Sequence, residues 1–222
     1  MSALLRGRLA VGLFAAGLLA ASACDPPPTV DVPAADLVAK ATVIDTESSP
    51  SDGKIPIVIQ FFSADVFVEL AGSTAISCNG VAMPWNGLGY AARIPLVAAG
   101  GTYDCRHVRS GVTASMLIIV PARPAILSPG AGASVARSAS LAVTYVPGGG
   151  SGVRISAGDP STGLGGNLEP DDGSGTVDVS SLKAGPGSIG IVRESTFTPG
   201  GSGFQSASVA YSSGSRITVT WT

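Results

Sequence analysis

Beyond residue 24 the chain has no stretch with a sustained apolar period of 3.6, and this constrains the fold more than any motif does. A helix needs that period to bury one face. The chain offers instead a succession of short apolar or alternating runs, each stopped by glycine, proline or a polar turn. Ile55 to Phe62 is near-continuously apolar and of strand length. Val66, Val68 and Leu70 alternate with Asp65, Phe67 and Glu69. Ile189 and Ile191, and later Ile217, Val219 and Trp221, keep the same period of two. With 30 glycines, 16 prolines and 13% charged residues, the composition favours many short strands and frequent turns. The expected fold class is all-β, each sheet with one buried and one wet face.

The runs fall into two blocks. In the first, Leu37 to Ile44 reads as an opening strand and Glu47 to Gly53 as a polar turn. Thr74 to Cys78 and Val81 to Trp85 flank Asn79-Gly80, the strongest short hairpin signal, because both residues tolerate positive φ. Tyr90 to Val97, Thr102 to Val108 and Val112 to Val120 follow, separated by Gly100-Gly101 and by Arg109-Ser110-Gly111. That density of strands fits a sandwich of two antiparallel sheets. Pro121-Ala122-Arg123-Pro124 closes the block. The second block has strand-like runs at Leu141 to Tyr145, Val153 to Ala157, Thr176 to Val179, Ser188 to Arg193, Ser206 to Ser212 and Arg216 to Trp221.

The amino terminus is different. Arg6 and Arg8 precede an apolar stretch from Leu9 to Ala20, which has the order and length of a signal peptide. It is too short to span a bilayer, which takes about 20 apolar residues. Asp25-Pro26-Pro27-Pro28 stops any helix directly after it. The segment Leu18-Leu19-Ala20-Ala21-Ser22-Ala23-Cys24 resembles the lipobox of bacterial lipoprotein precursors, with Ala21 where leucine is usual. The resemblance implies cleavage after residue 23 and acylation of Cys24 as the mature amino terminus. Several acyl chains, at about 0.8 kcal/mol per buried CH₂, would hold the protein stably on a membrane. Residues 24–36, rich in proline, read as a tether.

With Cys24 assigned to lipid, Cys78 and Cys105 remain. An exported compartment is oxidising, so one disulfide between them is the simple reading, and two buried thiols are the alternative. Gly101-Thr102-Tyr103-Asp104-Cys105 resembles the Gly-x-Tyr-x-Cys run of the immunoglobulin fold. That likeness implies a corner hydrogen bond from Tyr103 and a tryptophan, here Trp85, against the disulfide. The cysteines are closer in sequence than in a true immunoglobulin domain, so the bond joins either two sheets or neighbouring strands. Ala125-Ile126-Leu127-Ser128-Pro129-Gly130, followed by Leu141-Ala142-Val143-Thr144-Tyr145, resembles the opening of bacterial immunoglobulin-like and fibronectin-III-like modules. This is a fold-level pattern and names no function.

Charge and ligand chemistry narrow the function. Without Arg6 and Arg8 the mature chain carries 11 basic and 15 acidic residues, a net charge near −4. No basic stripe exists to displace counterions, so nucleic acid is not an expected partner. The one histidine, His107, shares strand parity with Tyr103 and Cys105 and reads as a core-side residue. A Ser-His-Asp or Cys-His site would have to use it, and one histidine beside two paired cysteines leaves no set of ligands for zinc. Gly185, Gly187 and Gly190 spell G-x-G-x-x-G, but Pro186 sits inside it and a strand follows, so the glycines read as turn chemistry. Asp159, Glu169, Asp171, Asp172 and Asp178 gather around a glycine-rich loop. Such hard oxygen ligands suit Ca²⁺, but they lack the spacing of an EF-hand, and solvated loop acids are the preferred reading. Met83-Pro84-Trp85-Asn86-Gly87-Leu88-Gly89-Tyr90 puts two aromatics on a loop. There Trp85 and Tyr90 either fold back onto the core or face a sugar or a protein.

The sequence therefore predicts two tandem immunoglobulin-like antiparallel β-sandwich domains, 37–122 and 123–222, after a cleaved signal peptide (1–23) and a tether (24–36). It predicts a non-enzymatic cell-envelope lipoprotein, exported and lipid-anchored, with structural or protein-interaction duty. The alternative is a carbohydrate-binding or adhesive module using the loop from Trp85 to Tyr90. No cofactor and no metal are expected; the expected partners are the membrane and an envelope protein or glycan.

Overall fold

A computed structural model describes residues 27–46, 52–72 and 74–222. The expected signal peptide and the expected lipid attachment at Cys24 lie outside the described residues, as does most of the turn after Glu47. The first strands are β1 (Thr29–Val30), β2 (Val38–Asp45), β3 (Lys54–Ser63), β4 (Val66–Leu70), β5 (Ala75–Cys78) and β6 (Val81–Ala82). Next come β7 (Tyr90–Pro95), β8 (Thr102–Arg109), β9 (Val112–Ile119), β10 (Ile126–Ser128), β11 (Ser134–Val135) and β12 (Leu141–Tyr145). The last are β13 (Gly152–Gly158), β14 (Gly163–Glu169), β15 (Ser174–Val177), β16 (Gly185–Phe197), β17 (Gly200–Ser202) and β18 (Ser206–Trp221). One short 3-10 turn, Ala34–Asp36, precedes β2. The chain is an all-β sandwich protein, as its period of two requires.

Two cores form. In the first, β3 buries Ile55, Ile57, Ile59 and Phe61 at alternate positions, none more than 3% exposed. Its sheet runs β1-β4-β3-β2, with β7 also on β3, and faces a second sheet in the order β17-β9-β8-β5-β6. In the second core, β13, β14 and β16 lie opposite the three-stranded sheet β10-β12-β15. Each fully buried Ile, Val or Phe contributes about 1.5–3 kcal/mol.

The two cores share one sheet. β16 and β18 form a long antiparallel hairpin, in register from Gly185↔Trp221 to Phe197↔Val209. The first half of β18 pairs parallel with β2, from Ser206↔Val38 to Ser213↔Asp45. A ten-stranded sheet therefore runs through both cores. β18 buries Val209 and Tyr211 in the first core and Val219 and Trp221 in the second. The hairpin's end then crosses to the opposite sheet, where β17 pairs with β9. Gly201 and Gly203 allow that approach: a Cβ on Gly201 would sit 2.2 Å from the Ser115 carbonyl, and one on Gly203 2.8 Å from the Ala114 side chain. A boundary at residue 123 assigns Phe197 to Tyr211 to the second sandwich; in the structure these residues complete the first.

Several local expectations also change. Residues 29–36 are not a free spacer: β1 pairs parallel with the end of β4, and Asp31 pairs with Arg109. The glycines of G-x-G-x-x-G lie within strand β16 rather than in a turn. The two late runs, Ser206 to Ser212 and Arg216 to Trp221, are one strand. β14 was not anticipated, because its sequence, Gly-Leu-Gly-Gly-Asn-Leu-Glu, shows no apolar alternation. The Asn79-Gly80 hairpin forms as its sequence requires: φ is +47° and +77° at the two residues, and Cys78 pairs with Val81.

Candidate partner-binding face

The aromatic cluster begins with the phase of β3. Because its odd-numbered residues point inward, Phe62 points to the outer face. Ala64 and Asp65, at φ +47° and +64°, turn the chain straight back, so that Phe67 of β4 pairs with Phe62. The ring centroids are 5.7 Å apart. Trp85, in the β6–β7 connection, lies with its ring centroid 5.4 Å from that of Phe67, the ring planes at 30°. Lys40 of β2 places Nζ 4.4 Å from the Phe62 centroid, within cation–π range. Phe62, Phe67 and Trp85 are all half-buried and form a strip of contacting rings on the first lobe, Trp85 also packing against the first core.

Trp85 and Tyr90 are neighbours in an isolated β-bridge, with ring centroids 5.2 Å apart. They play different parts. Tyr90 is buried, its hydroxyl accepting from the Leu70 N–H at 3.0 Å and lying 3.4 Å from the Leu70 carbonyl. Burial raises its pKa, outweighing the Leu70 hydrogen bond. It joins β4 to β7 and is not a contact residue. The loop between the two folds down on β3: Gln60 Nε2 donates to the Leu88 carbonyl at 2.8 Å, and a Cβ on Gly89 would be 2.9 Å from Val58 Cγ1. Leu88 stands out at its end, 72% exposed. Of the two expected contact residues Tyr90 is buried, whereas Trp85 is half-buried, packing against the first core while touching Phe67, which in turn touches Phe62. The sequence held a signal for Phe62, which is out of phase with Ile55, Ile57, Ile59 and Phe61. Nothing in it said that Trp85 would return to the same place.

Cys78 and Cys105 form a disulfide between directly paired residues of β5 and β8, within one sheet. The Asn79 N–H donates to the Asp104 carbonyl, which makes Cys78–Cys105 a non-hydrogen-bonded pair, the closer of the two antiparallel kinds. Cross-linking residues 27 apart stabilises by about 3.5 kcal/mol in the chain-entropy account. The corner implied by the immunoglobulin likeness is present: the Tyr103 hydroxyl accepts from the Val97 N–H, six residues upstream, at 3.0 Å. Trp85 packs on Phe67 and Tyr90.

The acidic loops are structural. Asp159 accepts from the Lys183, Ser161 and Thr162 N–H groups, which together with the Ser161 hydroxyl hold its carboxyl well below the usual range. Asp178 accepts from the hydroxyl and N–H of Ser180, and Asp172 from the N–H of Ser174. Asp171 pairs with Arg193 in the interior. Among the described residues no three metal-ligating side chains converge. No helix among them is long and apolar enough to cross a membrane.

No protein-family model matches the chain, and no curated protein is similar to it. Solved structures share its general β-sandwich type. One is the BSP domain of a biofilm-associated protein, 18% identical over 82% of this chain and 29% of that one, with a TM-score of 0.23. Another is SGBP-B of the Bacteroides ovatus mixed-linkage glucan utilization locus, in complex with a mixed-linkage heptasaccharide. It is 9% identical over 94% of this chain and 69% of that one, with a TM-score of 0.27. A third is an I-band fragment of titin, 11% identical over 85% and 64%, with a TM-score of 0.22. The chain spans under a third of the first of these. Likenesses this distant bear on the fold type alone.

Proposed function

We propose that this chain is a non-enzymatic module displayed from a cell envelope by lipid on Cys24, which contacts an envelope protein through the outer face of its first lobe. The observation that carries the reading is the strip Phe62–Phe67–Trp85. Three half-buried aromatic rings, with Phe67 touching both Phe62 and Trp85, are the kind of anchor that dominates binding surfaces. The single sheet through both cores supports the same reading, since it gives the strip a stiff mount. Cross-linking mass spectrometry on membranes carrying the wild type, against Phe67→Ala and Trp85→Ala, tests it. Loss of one specific cross-linked partner in both variants, with thermal unfolding unchanged, supports the reading. Identical cross-link profiles overturn it.

The second reading is glycan binding at the same strip. The Lys40 ammonium over Phe62 favours it, because sugars stack on ring faces and hydrogen-bond to flanking polar groups. Titration of the soluble chain (27–222) with envelope glycans separates the two. Saturable binding lost in Trp85→Ala selects the glycan, and no binding to any glycan selects the protein partner.

A further inference from the structure

Of the eight arginines among the described residues, seven are engaged. Arg93, Arg106, Arg109, Arg123, Arg154 and Arg193 pair with carboxylates, and Arg137 donates to the carbonyls of Leu182 and Thr222. Arg216 of β18 has neither a hydrogen bond nor an ion pair with any described residue. Its Nε lies 3.8 Å from where a Cβ on Gly190 would stand, and Ser156 Oγ lies 2.8 Å from the same point. The guanidinium therefore leans across β16 toward β13. Gly190, paired with both Arg216 and Ser156, leaves the space between them open.

Arg216 and Ser156 line a cleft of about 490 Å³ on the second lobe, apart from the aromatic strip and within the size range of small-ligand sites. Ile155, Ala157, Ile189 and Ile191 of β13 and β16 are buried in the core, so Ser156 and Ser188, at the alternate positions, face outward. Ser188 also lines the cleft, and the β13–β14 turn, residues 159–162, adds the hydroxyls of Ser161 and Thr162. That turn is fixed by Asp159, whose carboxylate accepts from the N–H groups of Ser161, Thr162 and Lys183. The cleft is thus preformed, and a ligand need not order it.

We infer that this cleft binds a carboxylate-bearing sugar, with Arg216 holding the carboxylate and the serine hydroxyls meeting those of the ring. A guanidinium offers parallel N–H groups in the geometry of a carboxylate. A single cation matches a singly charged ligand. Asp159 in the wall argues the same way, since a doubly charged phosphate would keep an uncompensated charge beside it. Four lining residues carry hydroxyls and three are glycines, which suits a flat polyhydroxylated ring better than an aliphatic chain. Each hydroxyl both donates and accepts, as sugar hydroxyls require.

The experiment is a titration of the full-length, oxidised chain with methyl glucuronide, its uncharged methyl ester and acetate, read by the amide resonances of Gly163, Gly165 and Gly190. Methyl glucuronide shifts them saturably. The ester binds about tenfold more weakly for want of the charged hydrogen bonds, and acetate, without the ring, binds more weakly than the glucuronide. Arg216→Gln, at an exposed and unpaired position, leaves thermal unfolding unchanged and gives acid and ester the same weak affinity. Gly165→Val, where a Cβ meets nothing within 4 Å, intrudes on the cleft and weakens both. Trp85→Ala binds as the wild type does, which separates this cleft from the aromatic strip. No saturable shift, an ester or acetate that binds as tightly as the glucuronide, undiminished binding by Arg216→Gln or Gly165→Val, or loss in Trp85→Ala overturns the assignment.

Discussion

Arg193 and Asp171 meet at 2.8 Å in the interior of the second lobe, their side chains 3% and 1% exposed. The guanidinium also donates to the carbonyl of Ala122, in the connection between the lobes, and to that of Val146. Asp171 accepts further from the N–H groups of Gly148 and Gly150. The run Pro147-Gly148-Gly149-Gly150 thus wraps the ion pair. A Cβ on Gly148 would lie 2.5 Å from the guanidinium, which accounts for glycine there. The pair fixes two loops and the inter-lobe connection at one point.

Removing one partner is therefore expected to be severe. Asp171→Ala or Arg193→Met leaves a buried charge and several unsatisfied backbone groups, at a cost of about 3–5 kcal/mol. The double variant Asp171→Leu/Arg193→Met costs less than either single change, since no charge is left alone. Urea unfolding of the three variants checks the order. Burial raises the pKa of Asp171, but Arg193 and the two glycine N–H groups outweigh it and hold the group below the usual carboxylate range. Its contribution is present above the unfolded value of about 3.9 and is lost as pH falls through the lower folded value.

The shared hairpin makes the first lobe dependent on the last residues of the chain. A fragment of residues 27–124 lacks Val209 and Tyr211, which are at most 1% exposed, together with Phe197, Phe204 and Ala207 packed beside them. It also bares the edge of β2 that β18 covers. Two such buried side chains carry about 3–6 kcal/mol, comparable with a small domain's whole stability of about 5–15 kcal/mol. The fragment is expected to unfold without cooperativity and to bind a hydrophobic dye. A sharp thermal transition from this fragment would show that the lobe stands alone.

Gly187 lies under Trp221. A Cβ there would come within 1.8 Å of the indole Nε1, which donates to the Gly158 carbonyl at 3.0 Å. Gly187→Ala must displace a buried ring, at about 1–3 kcal/mol. Adding Trp221→Phe relieves the clash, so the double variant is less destabilised than the sum of the two single changes. Denaturation followed by circular dichroism measures all three, independently of the lost tryptophan.

What the sequence made legible was local. The alternation in Ile55 to Phe61 gave strand and face together, and Asn79-Gly80 gave its turn, because these signals need no partner. β14 was missed because Gly163, Gly165 and Gly166 have no side chain to reveal a period. The crossing of β18 between cores was missed for another reason: Val209, Tyr211, Val219 and Trp221 keep one parity along a strand, and parity does not say which core a residue enters. The aromatic strip was half legible. Trp85 stood out as a loop aromatic, whereas Phe67 became its neighbour only through the turn at Ala64-Asp65 and the pairing it sets.

His107 provides the last test. Burial pushes its pKa below the ordinary histidine value, so the native state holds it neutral where the unfolded chain takes up a proton. The unfolded state then binds more protons, and stability rises with pH. The contribution is complete above the unfolded value of about 6.5 and drains away as pH falls toward the folded value, with a slope of at most about 1.4 kcal/mol per pH unit. No other side chain has an ordinary pKa in this window, since the chain has one histidine and the ordinary carboxylate values lie lower. Urea midpoints measured from pH 7.5 to pH 5.0 should therefore decline steadily for the wild type. His107→Phe, which keeps a ring among Phe61, Ile76 and Phe204, should show a flat profile over the same range. Matching profiles for the two proteins would mean that the native imidazole takes up its proton as readily as the unfolded chain does, and so is solvated rather than buried.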